Sequence, residues 1–145
     1  MVLACSAKKT TCPYCGVGCQ IDMKLKDGTI YAVEAPFDAA PNYGMLCVKG
    51  RFGTDYVNHP RRIKTPLIRA NRDEGRSAKP IWREASWDEA LDLVADELVR
   101  VVKNQGGDAI ATYASAKATN EDTYLFQKMV RALLGTNNID HCARL

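Results

Sequence analysis

The spacing of four cysteines constrains this chain more than any other feature. Cys12, Cys15 and Cys19 fall within Cys12-Pro13-Tyr14-Cys15-Gly16-Val17-Gly18-Cys19, and Cys47 follows 28 positions after Cys19 in Leu46-Cys47-Val48-Lys49-Gly50. Three soft thiolates in so short a loop suit three corners of a small metal cluster. A distant fourth closes the set and pins a second loop across it. Thiolate sets of this kind select zinc or iron–sulfur clusters over hard cations. Gly16 and Gly18 favour a [4Fe–4S] cluster, because a cubane needs backbone close to inorganic sulfide and glycine permits that approach. Two other readings stay open here. Cys12-Pro13-Tyr14-Cys15-Gly16 looks like a zinc-ribbon knuckle, although ribbons usually bring two matched Cys-x2-Cys pairs and Cys47 has no cysteine nearby. A disulfide framework is the third, and six cysteines in 145 residues without a secretion signal make a poor case for it.

The length of 145 residues suits one medium domain or two small ones, and 46% hydrophobic residues allow a packed core. A net charge of +3 is too mild to imply nucleic acid, so no such partner is expected. No run approaches 18 apolar residues, and no direct membrane span is expected. Residues 1–5 hold only a short apolar stretch, and Leu3-Ala4-Cys5 resembles a lipoprotein cleavage site without its hydrophobic region. No twin-arginine signal precedes the cysteines. Cytoplasmic residence with reduced thiols is the expectation. Cys5 and Cys142 read as buried or bland free thiols.

Residues 20–34 read as a hairpin: Ile21, Met23 and Leu25 alternate, Asp27-Gly28 signals a tight turn, and Ile30, Ala32 and Glu34 continue opposite. A loop over residues 35–46, with Pro36, Pro41 and Gly44, returns the chain to Cys47. Residues 49–83 read as a loop-like basic connector, holding ten of the twenty Lys and Arg residues against three acidic ones. Most of these charges are expected to be solvated, and some to face an anion such as the phosphates of a large cofactor.

At Ser86 the character changes. Ser86-Trp87-Asp88-Glu89 has capping-box spacing, Leu91, Val94, Leu98 and Val101 recur at helical intervals, and Gly106-Gly107 end the helix. Residues 108–114, with Ile110, Thr112 and Tyr113, predict a short buried strand, followed by a polar loop over residues 115–119. Asn120 is expected to cap a second helix, with Glu121 and Asp122 at its positive end. Leu125, Met129 and Leu133 form its apolar stripe, Gly135 closes it, and Asn138-Ile139-Asp140 opens another strand. Both stripes are expected to be core.

Helix–strand–helix–strand predicts a parallel α/β unit. One or two strands cannot bury both faces of such a sheet, so the chain reads as the front of a larger protein. The expected fold class is mixed α+β and α/β: a small β-rich cluster domain over residues 1–66, then the start of a parallel α/β domain over residues 67–145. Ser115, Asn120 and Glu121 fall where a strand end meets a helix start, the crevice that ligands favour in open α/β sheets. Helix capping is the plainer role for Asn120.

By this point the residues resemble a known family. Cys12-x2-Cys15-x3-Cys19-x27-Cys47-x-Lys49-Gly50-Arg51 is similar to the N-terminal cluster domain of molybdenum or tungsten bis-pterin-dinucleotide oxidoreductases. The similarity continues through Asp55-Tyr56-Val57-Asn58-His59-Pro60-Arg61-Arg62-Ile63, Pro66-Leu67-Ile68-Arg69, Ser86-Trp87-Asp88-Glu89-Ala90-Leu91 and Ala116-Lys117-Ala118-Thr119-Asn120-Glu121. Gly135-Thr136-Asn137-Asn138-Ile139-Asp140-His141-Cys142-Ala143-Arg144-Leu145 resembles the approach to the active site in formate dehydrogenase catalytic subunits.

The resemblance implies a [4Fe–4S] cluster on Cys12, Cys15, Cys19 and Cys47. It also implies a molybdenum or tungsten bis(pterin guanine dinucleotide) shared with further sequence. Lys49 matches the family lysine between cluster and pterin, an electron relay that stabilises the reduced cluster. Ser115, Asn120 and Glu121 would then contact the pterin dinucleotide. The metal-ligating selenocysteine or cysteine, followed by histidine, is expected immediately after Leu145, with a UGA codon there read as a stop. Arg144 would support the metal site, while His59 and His141 read as structural. The implied reaction is reversible oxidation of formate to carbon dioxide, this portion carrying electron transfer. The implied partners are the remainder of the catalytic subunit, iron–sulfur electron-transfer subunits and formate or carbon dioxide. The alternatives are another bis-pterin oxidoreductase such as nitrate reductase, a stand-alone iron–sulfur electron-transfer module, and a zinc-bound interaction module.

Overall fold

A computed structural model describes residues 5–142, apart from the side chain of Cys5. The expectations attached to Arg144, to Leu145 and to the Cys5 thiol lie outside the described residues. β1 (Cys5–Thr11), β2 (Gln20–Lys26) and β3 (Thr29–Glu34) form an antiparallel sheet in the order β1-β2-β3. The β2–β3 connection is the tight turn expected from the sequence. Asp27 and Gly28 take φ of 50° and 78°, the left-handed pair that a two-residue hairpin favours.

The β1–β2 connection is the cysteine loop itself. Thr11 pairs with Gln20, and the Cys12 N–H donates to the Cys19 carbonyl at 2.8 Å, so residues 12–19 hang from a hairpin end. Nothing in the side-chain pattern of β1 predicts a strand. Its Cys-Ser-Ala-Lys-Lys-Thr-Thr lacks apolar alternation, and it joins the sheet edge through backbone pairing.

Cys12, Ile21 and Val33 form the buried cluster of this sheet, with Tyr14, Cys19, Met23, Ile30 and Leu46 packed around them. The expected alternation of Ile30, Ala32 and Glu34 opposite Ile21, Met23 and Leu25 needs one correction. Lys24 faces Ala32 while Leu25 faces Ile30, which leaves Tyr31 as an extra residue. This bulge turns Val33 inward in place of Ala32.

Residues 49–83 are more ordered than a connector. α1 (Val48–Phe52) and α2 (Asp55–Asn58) are short helical segments, and β4 (Leu67–Arg69) pairs antiparallel with β5 (Trp82–Glu84). Asn71 organises the link between the two strands. Its Oδ1 accepts the Ile81 N–H at 2.9 Å, and its Nδ2 donates to the Lys79 carbonyl at 2.9 Å. Arg69 donates to the Gly75 and Ala78 carbonyls at 2.7 and 2.8 Å. Side chains that bond the backbone in this way leave no trace in a hydropathy pattern.

α3 (Trp87–Gln105) starts and ends as expected. Ser86 Oγ accepts the Glu89 N–H at 3.1 Å, and Gly106 ends the helix at φ 81°. Only half of the capping box forms, because the Glu89 carboxylate pairs with Arg83. The stripe needs the larger correction. No residue of α3 is buried, Leu91 and Val94 are exposed, and Leu98 and Val101 are half-buried. The apolar faces of β4 and α3 line an open groove instead of a closed core. These elements belong to one compact unit, Ile63–Ile110.

The other unit runs through Arg62 and resumes at Ala111. There β6 (Thr112–Ser115), α4 (Asn120–Met129) and β7 (Ile139–Cys142) form a parallel βαβ unit, with Thr112 opposite Ile139 and Ser115 opposite Cys142. The strand expected over residues 108–114 begins only at Thr112, after a 3-10 turn at Gly107–Ala109, and Tyr113 is exposed. α4 continues into a π-helical turn, Val130–Leu134, before Gly135 closes it at φ 71°. The wider turn shifts the inward face. Val130 and Leu134 are buried, while Leu125 and Leu133 of the expected stripe are exposed. The cap is Thr119, whose Oγ1 accepts the Asp122 N–H at 3.2 Å, and not Asn120.

The β6–α4–β7 segment thus packs in the unit that carries the cysteines. The linear division at residue 66 remains a proposal about the architecture of the whole protein. Among the described residues no helix is long and apolar enough to cross a membrane.

Candidate metal-cluster site

Cys12 enters the core of the first sheet at 6% exposure, and Cys15 and Cys19 are half-buried beside it at the hairpin end. Cys47 reaches them along the loop of residues 35–46, and Asn42 sets where that loop lies. Asn42 is buried. Its Oδ1 accepts the Gln20 N–H at 2.7 Å, and its Nδ2 donates to the carbonyls of Gln20 at 3.1 Å and Met45 at 2.9 Å. One side chain therefore ties the residue after Cys19 to the residue two before Cys47. Sequence reasoning missed Asn42, because an asparagine next to Pro41 reads as a turn residue.

Cys47 is the residue that precedes α1, and α1 closes onto Cys12. Gly50 is buried, and a Cβ placed there would stand 3.5 Å from Cys12 Sγ. Tyr14, between Cys12 and Cys15, donates its hydroxyl proton to the Gly53 carbonyl. Its ring meets Tyr56 edge-on at 6.4 Å, and the Arg62 guanidinium lies 5.1 Å from the Tyr56 centroid.

Electrostatics link the four thiols. Burial first, then the charges of Cys12, Cys15 and Cys47, push the Cys19 thiol up. Cys47 shifts the other way. The Gly50 amide, then the Lys49 amide and the Lys49 charge, outweigh burial and hold it below the ordinary thiol range. Among the described residues no three His, Cys, Asp or Glu side chains converge closely enough to hold one metal ion. A tetrahedral zinc draws its four sulfurs to about 2.3 Å from one point. A four-iron cluster takes one soft thiolate at each of four corners, the number and kind of donor that Cys12, Cys15, Cys19 and Cys47 offer. Lys49 is exposed and adjacent to Cys47 in its electrostatic influence.

A second feature of the same unit is a cavity of about 340 Å³ at the carboxyl end of β6 and the first turn of α4. Gly16, Ser115, Ala116, Asn120, Thr123 and His141 are among its lining residues. Ser115 and Asn120 come together here, in the crevice position expected of an α/β unit. Glu121 is exposed and lies outside the lining, whereas His141, read as structural, belongs to it.

Asn120, released from capping by Thr119, donates its Nδ2–H to the Gly16 carbonyl at 2.7 Å across 104 residues of chain. A Cβ on Gly16 would collide with Asn120 Oδ1. Glycine at 16 therefore makes room for this side chain, and Gly18 supplies a left-handed turn at φ 77°. Cys142, read as buried or bland, is exposed at the end of β7. Its Sγ accepts the Ala116 N–H at 3.4 Å and lies 3.7 Å from Ser115 Oγ.

A thiol set on a hairpin end, hydrogen-bonded to a βαβ crevice, has the layout of an iron–sulfur module joined to an α/β cofactor-binding unit. The chain belongs to the molybdopterin oxidoreductase family. Residues 6–59 match the molybdopterin oxidoreductase Fe4S4 domain and residues 62–145 match the molybdopterin oxidoreductase domain. An Fe4S4 cluster and molybdopterin are accordingly the cofactors of this family. The chain is 44% identical over 137 residues to formate dehydrogenase 1 subunit alpha of Methanococcus maripaludis, covering 94% of this chain and 18% of that protein. It is 40% identical over 136 residues to a protein assigned as a formate dehydrogenase in Staphylococcus aureus, covering 94% of this chain and 13% of that protein. It therefore spans less than a fifth of the length of these relatives.

Proposed function

We propose that this chain is the electron-transfer portion of a formate dehydrogenase catalytic subunit, with Cys12, Cys15, Cys19 and Cys47 ligating a [4Fe–4S] cluster. The observation that carries the reading is the hairpin end that gathers Cys12, Cys15 and Cys19, with Gly50 of the Cys47 segment packed against Cys12, inside the residues that match an Fe4S4 domain. The names of the relatives support formate over nitrate as the substrate of the whole protein.

When bound, a cluster supplies one-electron transfer and a molybdenum or tungsten pterin supplies two-electron chemistry at the substrate carbon. The residues of this chain prepare the site for them. Burial of Cys12 keeps water from one corner. The Gly50 and Lys49 amides favour the thiolate of Cys47, the form that ligates metal. Lys49 presents a cation beside that corner and would be the relay that offsets the negative charge of a reduced cluster. Ser115 and Asn120 line the cavity that would take the pterin dinucleotide, and Glu121, outside that lining, would contribute from the exposed first turn of α4.

In this reading a β-rich cluster domain over residues 1–66 precedes the start of a larger parallel α/β domain. The partners are the remainder of the catalytic subunit, iron–sulfur electron-transfer subunits, and formate or carbon dioxide. Cytoplasmic residence belongs to the same proposal.

Iron, sulfide and zinc analysis of the full-length catalytic subunit, with EPR before and after formate, tests the proposal. The expected result is a cluster signal that formate reduces and that Cys19→Ser and Cys47→Ser abolish or alter. Stoichiometric zinc without sulfide, or a cluster that formate leaves oxidised while nitrate oxidises its reduced form, overturns it.

A further inference from the structure

We propose that Asn120 is a positioning residue that couples the cavity beside α4 to the cysteine loop by fixing the Gly16 carbonyl. The inference rests on the reading of Cys12, Cys15, Cys19 and Cys47 as cluster ligands. Gly16 lies between Cys15 and Cys19, inside the loop closed by the Cys12 N–H to Cys19 carbonyl bond. The Asn120 contact, at 2.7 Å, is at the short end of the range for an N–H···O bond. A peptide unit is planar and trans, so holding the Gly16 carbonyl also holds the Val17 N–H in the opposite sense. The orientation of that peptide dipole, between two thiols, is therefore set from α4.

The same side chain faces the cavity. Thr119 satisfies the helix start, which leaves the Asn120 amide for other work. Nδ2 holds Gly16, and among the described residues no donor reaches Oδ1. Oδ1 is thus available to a hydroxyl or amino donor on an occupant of the cavity. An occupant that bonds Oδ1 orders the amide plane and, through Nδ2, the cysteine loop. Hydrogen bonds and dipoles near the sulfurs tune the potential and stability of iron–sulfur clusters. Gly16 carries the complementary requirement, since a side chain there would collide with Asn120 Oδ1.

The test uses the full-length holoenzyme with Asn120→Ala, Asn120→Asp, Gly16→Ala and the Gly16→Ala/Asn120→Ala pair. Cluster EPR g-values, the cluster midpoint potential and the rate of iron loss to a chelator are read, none of which depends on turnover. Asn120→Ala and the isosteric Asn120→Asp are expected to shift the g-values and the potential and to speed iron loss about tenfold. Asn120→Asp is expected to shift the potential further, because its carboxylate cannot donate and faces the Gly16 carbonyl. Gly16→Ala should give a similar shift, and the pair should be far from additive, as expected of two residues in contact. Wild-type g-values, potential and iron loss in both Asn120 variants, or additive effects in the pair, overturn the coupling while leaving the ligand assignment intact. A wild-type enzyme without an iron–sulfur signal overturns the ligand assignment and the coupling together.

Discussion

Asn42 and Gln20 are joined by two hydrogen bonds that run in opposite directions. Gln20 N–H donates to Asn42 Oδ1 at 2.7 Å, and Asn42 Nδ2 donates back to the Gln20 carbonyl at 3.1 Å. The side chain is buried and also bonds the Met45 carbonyl, so its removal strands three backbone groups near two cysteines. Asn42→Ala is expected to lower stability by about 2–4 kcal/mol. Asn42→Asp keeps the acceptor but sets a buried carboxylate oxygen against the Gln20 and Met45 carbonyls, and is expected to lose at least as much. Urea unfolding measures both, and an Asn42→Ala loss within the error of wild type would sink the assignment.

Gly53 predicts a packing effect. A Cβ there would meet the Lys49 carbonyl and the Tyr14 hydroxyl, each at 2.5 Å, and would break the bond that Tyr14 donates to Gly53. Gly53→Ala is expected to destabilise the protein by about 1–3 kcal/mol through overpacking. Tyr14→Phe removes the hydrogen bond alone and is expected to cost about 1 kcal/mol. Equal losses in the two variants would mean that the hydrogen bond, not the space, sets the requirement for glycine.

The half-formed capping box at α3 separates two residues that the sequence presents as a pair. Ser86→Ala removes the acceptor for the Glu89 N–H and should cost about 1 kcal/mol. Glu89→Gln should leave the cap intact and weaken only the contact with Arg83. Helicity and denaturant midpoints of the two variants distinguish the roles, and equal losses would restore the reciprocal box.

Cys142 predicts a pH dependence. The Ala116 amide, then the Ser115 hydroxyl, and more weakly the Lys117 charge, outweigh desolvation and hold its thiol below the ordinary value of 9.0. A lowered thiol pKa contributes stability that is present above the unfolded pKa and is lost as pH falls through the folded value. Between those values Cys142 is thiolate in the folded protein and thiol in the unfolded chain. Alkylation of Cys142, followed by peptide mass spectrometry across pH, should show a midpoint below that of the urea-unfolded chain. Ser115→Ala should move it upward. Coincident folded and unfolded midpoints would refute the stabilisation.

Roles that a residue performs on its own backbone were legible in the sequence. Asp27-Gly28, Ser86, Gly106 and Gly135 all punctuate the chain where their residue types predict. Four cysteines were legible as a set because thiolate spacing has few uses. Roles performed on distant backbone were not. Asn42, Asn71 and Asn120 are all side chains of a turn-forming type, and each reaches a backbone group elsewhere in the fold. Strand β1 is held by pairing and not by pattern, and the π-turn at Val130–Leu134 moved the buried positions away from the stripe that a regular helix implies. The exposed face of α3 shows the other limit: periodicity states which side is apolar, not what covers it.

The contact between Asn120 and Gly16 also orders events in time. Joining residues 104 apart costs about 4 kcal/mol of chain entropy, several times what one hydrogen bond returns. The clasp therefore shuts only when the β6–α4–β7 unit folds. During synthesis the last cysteine of the set emerges about 70 residues ahead of Asn120, which at about 5–20 residues per second is a delay of several seconds. In that interval all four thiols have been synthesised while the Gly16 carbonyl is not yet held by Asn120.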